Sequence, residues 1–141
     1  ADILRGVAPS PFEAGVVLAL GAEGLYRSTN AGESWMVVAE PPLFTPQYDS
    51  SVVWASPETA YATAPPSAGP QESGLFVSDD AGLTWHRTLP SPDNVDGRPW
   101  LTSLAVDPFR PGTIFGLSKA APDVDPREVV RSSDGGLTPL R

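Results

Sequence analysis

The chain is 141 residues long, one domain's worth, and its 40% hydrophobic content is enough for a core and too much for wholesale disorder. Its 13 glycines and 17 prolines exceed a fifth of the sequence, against about 12% on average, and since neither residue suits a helix interior, a helical bundle is excluded. The 9 basic residues against 17 acidic ones leave a net charge of −8, without the clustered cations that a nucleic acid or an anionic membrane surface needs.

Turn signals divide the chain into short strands. The first four are expected near 3–8, 16–20, 24–29 and 34–38. The next four fall near 51–55, 59–63, 74–78 and 84–88, and the last four near 102–106, 113–117, 128–132 and 137–140. Alternation of apolar and polar residues along them is loose, as in strands buried on both faces.

The three groups repeat one another. Gly24-Leu25-Tyr26-Arg27-Ser28-Thr29-Asn30-Ala31-Gly32-Glu33-Ser34-Trp35 aligns with Gly74-Leu75-Phe76-Val77-Ser78-Asp79-Asp80-Ala81-Gly82-Leu83-Thr84-Trp85. Val129-Val130-Arg131-Ser132-Ser133-Asp134-Gly135-Gly136-Leu137-Thr138-Pro139 is the third copy. Trp35 lies 50 residues before Trp85, and Pro139 stands 54 residues after it, where a Trp is expected. An apolar strand followed by Ser-x-Asp/Asn-x-Gly-x-Ser/Thr-Trp, three times at a near-constant period, is the mark of a repeat architecture.

Physically, each motif reads as a hairpin lock. The side chains of Asn30, Asp80 and Asp134 are placed to accept backbone N–H groups across the turn. Gly32, Gly82 and Gly136 supply the positive φ that a tight turn requires, and Trp35 and Trp85 open the returning strand and are expected to pack on a neighbouring sheet. Asp80 or Asp134 as a calcium ligand is disfavoured, because the run lacks the further oxygen ligands and closing Glu of a calcium loop.

The pattern resembles the Asp-box, or bacterial neuraminidase repeat, found in sialidases, sortilin-type receptors, xyloglucan-degrading glycosidases and photosystem II assembly-factor-like propellers. The resemblance covers the whole chain, and its box residues are Ser28, Asn30, Gly32, Trp35, Ser78, Asp80, Gly82, Trp85, Ser132, Asp134 and Gly136. It implies an all-β chain of three four-stranded antiparallel β-propeller blades, over approximately 1–40, 48–90 and 100–141, and box turns on the face opposite any active site. Closed propellers have about four to eight blades. Three therefore make a partial propeller or half of a six-bladed ring, to be completed by a second copy, a longer chain or another protein.

Turns between first and second strands (Pro9–Gly15, Ser56–Glu58, Asp107–Gly112) share the face of the box turns. The opposite face collects Gly21–Glu23 and the longer Ala64–Ser73, Lys119–Arg127, Ala39–Ser50 and Leu89–Trp100, and uneven insertions on one face of a repeat protein point to a binding face. Tyr48, Arg98, Trp100 and Arg127 are its candidate contacts for a protein partner or a glycan.

Catalytic signals are weak. A sialidase needs an arginine cluster, a Tyr–Glu pair and an acid/base Asp, and the Phe/Tyr-Arg-Ile-Pro motif is absent: around Arg5 stands Leu4-Arg5-Gly6-Val7. Tyr48 and Tyr61 have no convincing Glu partner, although Asp93, Asp96, Asp123 and Asp125 lie on the candidate face, where a glycosidase would place two carboxylates. His86 is the single histidine and reads as an outward-facing strand residue. With no cysteine there is no disulfide, thiolate zinc site or Cys nucleophile, and no phosphate-binding glycine loop precedes a helix. No cofactor or metal is expected. No apolar run is long enough for a membrane helix and the cations do not cluster, so neither membrane insertion nor nucleic-acid binding is expected. Ala1 in place of Met fits processing after a small residue, so an extracytoplasmic or secreted location is the expectation. The reading is a non-catalytic scaffold for protein–protein interaction or assembly, the alternative a glycan-binding propeller or a fragment of a sialidase-like glycoside hydrolase.

Overall fold

A computed structural model describes residues 5–41, 43, 44, 46, 50–64, 74–90, 100–119 and 128–136. Eleven strands run through them and, among the described residues, there is no helix. The first sheet holds β1 (Gly6–Pro9), β2 (Val17–Leu20), β3 (Leu25–Ser28) and β4 (Met36–Ala39). The second holds β5 (Ser51–Trp54), β6 (Ala60–Ala64), β7 (Gly74–Ser78) and β8 (His86–Pro90). The third holds β9 (Trp100–Val106), β10 (Ile114–Lys119) and β11 (Glu128–Ser132). Each sheet is an antiparallel meander with neighbours in chain order. The strand expected over 137–140 lies outside the described residues.

The registers superimpose the repeats. Val7 pairs with Ala19 and Ala19 with Tyr26, just as Val52 pairs with Ala62 and Ala62 with Phe76. In the third sheet Leu104 and Val130 flank Gly116 in the same way. A register shift falls between Leu25 and Tyr26 in the first sheet and between Leu75 and Phe76 in the second, so the fourth strand leaves its partner at the same point.

Because side chains alternate across a strand, each sheet has a rear face toward the preceding sheet and a forward face toward the next. Leu18, Leu20 and Leu25 on the forward face of the first sheet form one core with Val52, Trp54, Ala60, Ala62, Phe76 and Trp85 on the rear of the second. Tyr61, Leu75 and Val77 on the forward face of the second form another with Leu104 and Ile114 of the third. All five residues of β6 are therefore buried, and the loose alternation in the sequence has its cause: the middle sheet has no solvent face. Small Ala62 sits between Val52 and Phe76, leaving room for the large rings above it.

The link between the first and second sheets is part of this core. Phe44 is fully buried and meets Phe76 edge-on, with ring centroids 5.1 Å apart at 85°. Such a pair contributes about 0.5–1.5 kcal/mol beyond the area it buries. Pro46, two residues further on, is buried as well.

Candidate functional site

The three repeated turns share one hydrogen-bond pattern, and its hub is the serine that ends the third strand of each sheet. Ser28 Oγ accepts the amide N–H of Gly32 at 2.9 Å and that of Asn30 at 3.2 Å, and donates to Asn30 Oδ1 at 2.9 Å. Ser78 accepts from Gly82 at 2.9 Å and Asp80 at 3.4 Å, and donates to Asp80 Oδ1 at 2.8 Å. Ser132 accepts from Gly136 at 3.0 Å and Asp134 at 3.4 Å, and donates to Asp134 Oδ1 at 2.7 Å. All three serines are buried, so each hydroxyl depends on these bonds within the turn for its partners.

The acid or amide two residues on then reaches the returning strand. The Ser34 amide donates to Asn30 Oδ1 at 2.9 Å, and the Thr84 amide to Asp80 Oδ1 at 2.8 Å. The turn glycines take the expected positive φ: 90° at Gly32, 86° at Gly82 and 81° at Gly136. The residue before each is left-handed as well, with Ala31 at 57°, Ala81 at 61° and Gly135 at 70°. Its amide is thereby aimed at the turn between the first two strands: Ala31 N–H donates to Gly15 O at 2.9 Å, Ala81 to Glu58 O at 2.8 Å and Gly135 to Gly112 O at 2.8 Å. The two sets of turns thus share one rim, as their places in the chain imply.

The Asp80 carboxyl is held well below the usual carboxylate range. Desolvation pushes its carboxyl up, but donation from the Thr84 hydroxyl, the Thr84 amide, the Ser78 hydroxyl and the Leu83 amide outweighs it and holds the group at about 2. The charge is spent on the turn itself. In the first turn Asn30 holds the same position without a charge: its Nδ2 donates to Ser34 Oγ at 2.8 Å, where Asp80 instead accepts from the Thr84 hydroxyl. On the same rim, burial raises the Tyr61 hydroxyl, and the nearby charge of Asp79 adds to the rise.

The opposite rim is only partly described. Tyr48, Arg98 and Arg127 lie outside the described residues, as do Asp93, Asp96, Asp123 and Asp125. Trp100 begins β9, opposite Lys119 of β10. Gly21–Glu23 is a tight turn closed by the Gly21 amide on Gly24 O at 2.9 Å. Among the described residues no three His, Cys, Asp or Glu side chains gather to hold a metal. His86 is exposed on β8, opposite Val77.

The two box tryptophans differ. Trp85 is 7% exposed within the first core, and its indole N–H donates to Gly82 O at 3.0 Å. Trp35 corrects the expectation that both pack on a neighbouring sheet: it is 40% exposed, because it stands on the rear face of the first sheet, with no sheet before it among the described residues.

Ties between sheets went unread in the sequence. Arg27 Nε donates to Ala81 O at 2.8 Å, from the forward face of the first sheet to the turn of the second. Trp54 Nε1 donates back to Ala8 O at 2.9 Å, and the Leu104 amide to Ser51 Oγ at 3.0 Å. An arginine inside a strand, directly before the serine, was the available signal for the first of these.

Three consecutive antiparallel meanders stacked face to face define a β-propeller segment. Among solved structures, the chain is similar to the GH74 enzyme of Niastella koreensis, with a TM-score of 0.72 and 18% identity over 96% of this chain and 22% of that one. It is similar to an ancestral GH74 enzyme, with a TM-score of 0.72 and 18% identity over 100% of this chain and 18% of the other. It is also similar to YCF48 from Cyanidioschyzon merolae, with a TM-score of 0.64 and 18% identity over 99% of this chain and 39% of that one. The chain thus spans well under half the length of each. No family model and no curated protein matches it.

Proposed function

We propose that the chain is a non-catalytic β-propeller scaffold, built on three Asp-box turns, that mediates protein–protein interaction or assembly of a larger complex. The observation that carries this reading is the set of apolar strand residues that stand exposed on the first and third sheets among the described residues. On the rear of the first sheet Val7 is 62% exposed and Val37 46%, and on the forward face of the third Val129 is 69% exposed. Apolar strand faces of this kind are interaction surfaces. The turns support the same reading, since their serine hydroxyls and acid side chains are committed to backbone amides and to one another.

Likeness to GH74 enzymes supports a second reading, a glycan-binding propeller or part of a glycoside hydrolase. Three assays separate them. The scaffold reading expects no turnover of fluorogenic glycosides or xyloglucan and no binding on a glycan array, together with concentration-dependent association in sedimentation velocity. Turnover, or saturable binding to one glycan class, decides for the second reading.

A further inference from the structure

The rim of the box turns also carries the turn between the first two strands of each sheet, and the tip of that turn is built alike three times. Ser10-Pro11-Phe12, Ser56-Pro57-Glu58 and Asp107-Pro108-Phe109 each place a proline before the tip residue. The tip amide donates back to the side chain two residues earlier. Phe12 N–H reaches Ser10 Oγ at 3.2 Å, Glu58 N–H reaches Ser56 Oγ at 3.3 Å and Phe109 N–H reaches Asp107 Oδ1 at 2.9 Å. The fixed proline φ and this bond hold the tip in one conformation, so little backbone freedom is left to lose on binding.

Glu58 closes the same turn, so the fold does not call for an aromatic ring at the tip. Two of the three tips are nevertheless phenylalanine, with Phe12 48% exposed and Phe109 89%. The middle sheet shows that this rim stays open between neighbours. Both faces of that sheet are covered, yet Pro57, Glu58, Asp79 and Leu83 of its turns are exposed, Leu83 at 45%. Exposure of the tips therefore follows from their place on the rim and not from how many sheets flank them. Charge then selects the occupant. Glu13, Glu33, Glu58 and Asp79 are exposed on these same turns. Among the described residues of the turns Arg110 is the one basic side chain, and its Nε lies 3.9 Å from Asp107 Oδ2. Apolar tips in a negative field repel nucleic acid and anionic lipid, and attract cations that stand beside apolar groups. The faces of the Phe rings add to that attraction.

We infer that the box-turn rim is a docking surface for a segment of a partner protein that carries Lys or Arg beside apolar side chains. The apolar side chains of that segment cover Phe12, Leu83 and Phe109, and its cations lie against Glu13, Glu58 and Asp79. This surface is opposite the rim whose uneven loops the sequence marks as a binding face. The inference rests on the scaffold reading and names the chemistry of its partner.

Panning a display library of random peptides on the immobilised 141-residue chain tests it, followed by fluorescence anisotropy with the selected peptides. Enriched peptides are expected to combine Lys or Arg with apolar residues, and their affinity should fall as salt rises. Phe12→Ser and Phe109→Ser, at exposed tips, should each weaken binding about tenfold and keep the wild-type far-ultraviolet spectrum. Glu58→Lys should weaken it as well, and Val7→Asp, on an exposed strand of the first sheet, should bind as wild type does. No enrichment, or enrichment without a basic bias, overturns the partner chemistry. Undiminished binding by a variant carrying both Phe12→Ser and Phe109→Ser overturns the rim, and association with phosphatidylcholine vesicles in place of peptides overturns a protein segment as occupant. Binding lost with Val7→Asp and kept with the Phe variants overturns the rim and leaves the scaffold reading standing, whereas turnover of a glycoside overturns the scaffold reading itself.

Discussion

The Arg27 guanidinium reaches across the first inter-sheet core and donates through Nε to the carbonyl of Ala81 at 2.8 Å. Ala81 can offer that carbonyl because its φ of 61° turns the peptide out of the strand direction, and its amide is held at the same time by Glu58 O. One side chain thus couples the strand pairing of one sheet to the turn lock of the next.

Arg27→Ala is expected to lower unfolding free energy by about 2 kcal/mol, from the lost charged hydrogen bond and the lost packing of the buried alkyl stem. Arg27→Met keeps most of the apolar volume and should recover part of the loss. Urea unfolding monitored by tryptophan fluorescence checks both. Equal effects from the two substitutions would show that the bond, not the stem, carries the contribution.

Stability should fall on the acid side through Asp80. Its folded carboxyl titrates at about 2, below the value of about 3.9 for an unfolded chain, so the unfolded state binds the proton more readily. The contribution is therefore complete above about pH 4 and is lost as pH falls toward 2. Asp80→Asn removes this titration, and Asn30 shows that the amide fits the turn, donating to the hydroxyl that follows. Thermal melts from pH 2 to 5 should give a shallower decline for Asp80→Asn than for wild type, and parallel curves would discount the carboxylate.

Much of this was legible in the sequence. The Ser-x-Asp/Asn-x-Gly pattern, spaced by a near-constant period, is enough to place the third strand, the turn and its glycine in each sheet. The serine hub and the left-handed Ala31 and Ala81 were not legible, because serine is common at strand ends and alanine carries no signal for positive φ. Phe44 was hidden among linker residues for a related reason: local composition around it reads as loop, and only the stacked sheets reveal the space beside Phe76 that it fills. Trp35 and Trp85 hold the same position in the repeat, and their different burial depends on whether a sheet precedes them among the described residues.

That same dependence makes two glycines an informative pair. Gly32 and Gly82 have φ of 90° and 86°, so an alanine at either meets backbone strain of about 1–2 kcal/mol. At Gly82 the added Cβ also comes within 2.9 Å of Leu18 Cδ2 in the neighbouring sheet, whereas at Gly32 its nearest neighbour is the half-exposed Trp35 ring at 3.3 Å. Gly82→Ala should therefore destabilise by more than Gly32→Ala, by a further 1 kcal/mol or about that. Chemical unfolding of the two variants reads the difference. Equal losses would mean that the turn moves freely against the first sheet.

Phe44→Ala probes whether the link between sheets is structural. The ring is fully buried against Phe76 between the first two sheets, with Ala62 and Ala64 in the same cluster. Its removal leaves a cavity beside Phe76, and the expected loss is about 3–5 kcal/mol. Phe44→Leu fills most of that volume and forfeits the edge-on ring contact, so a loss of about 1–2 kcal/mol is expected. An exposed loop residue would show neither effect. Near-wild-type stability for Phe44→Ala would therefore assign the segment to the surface and leave the first two sheets held together by their strand faces, Arg27 and Trp54 alone.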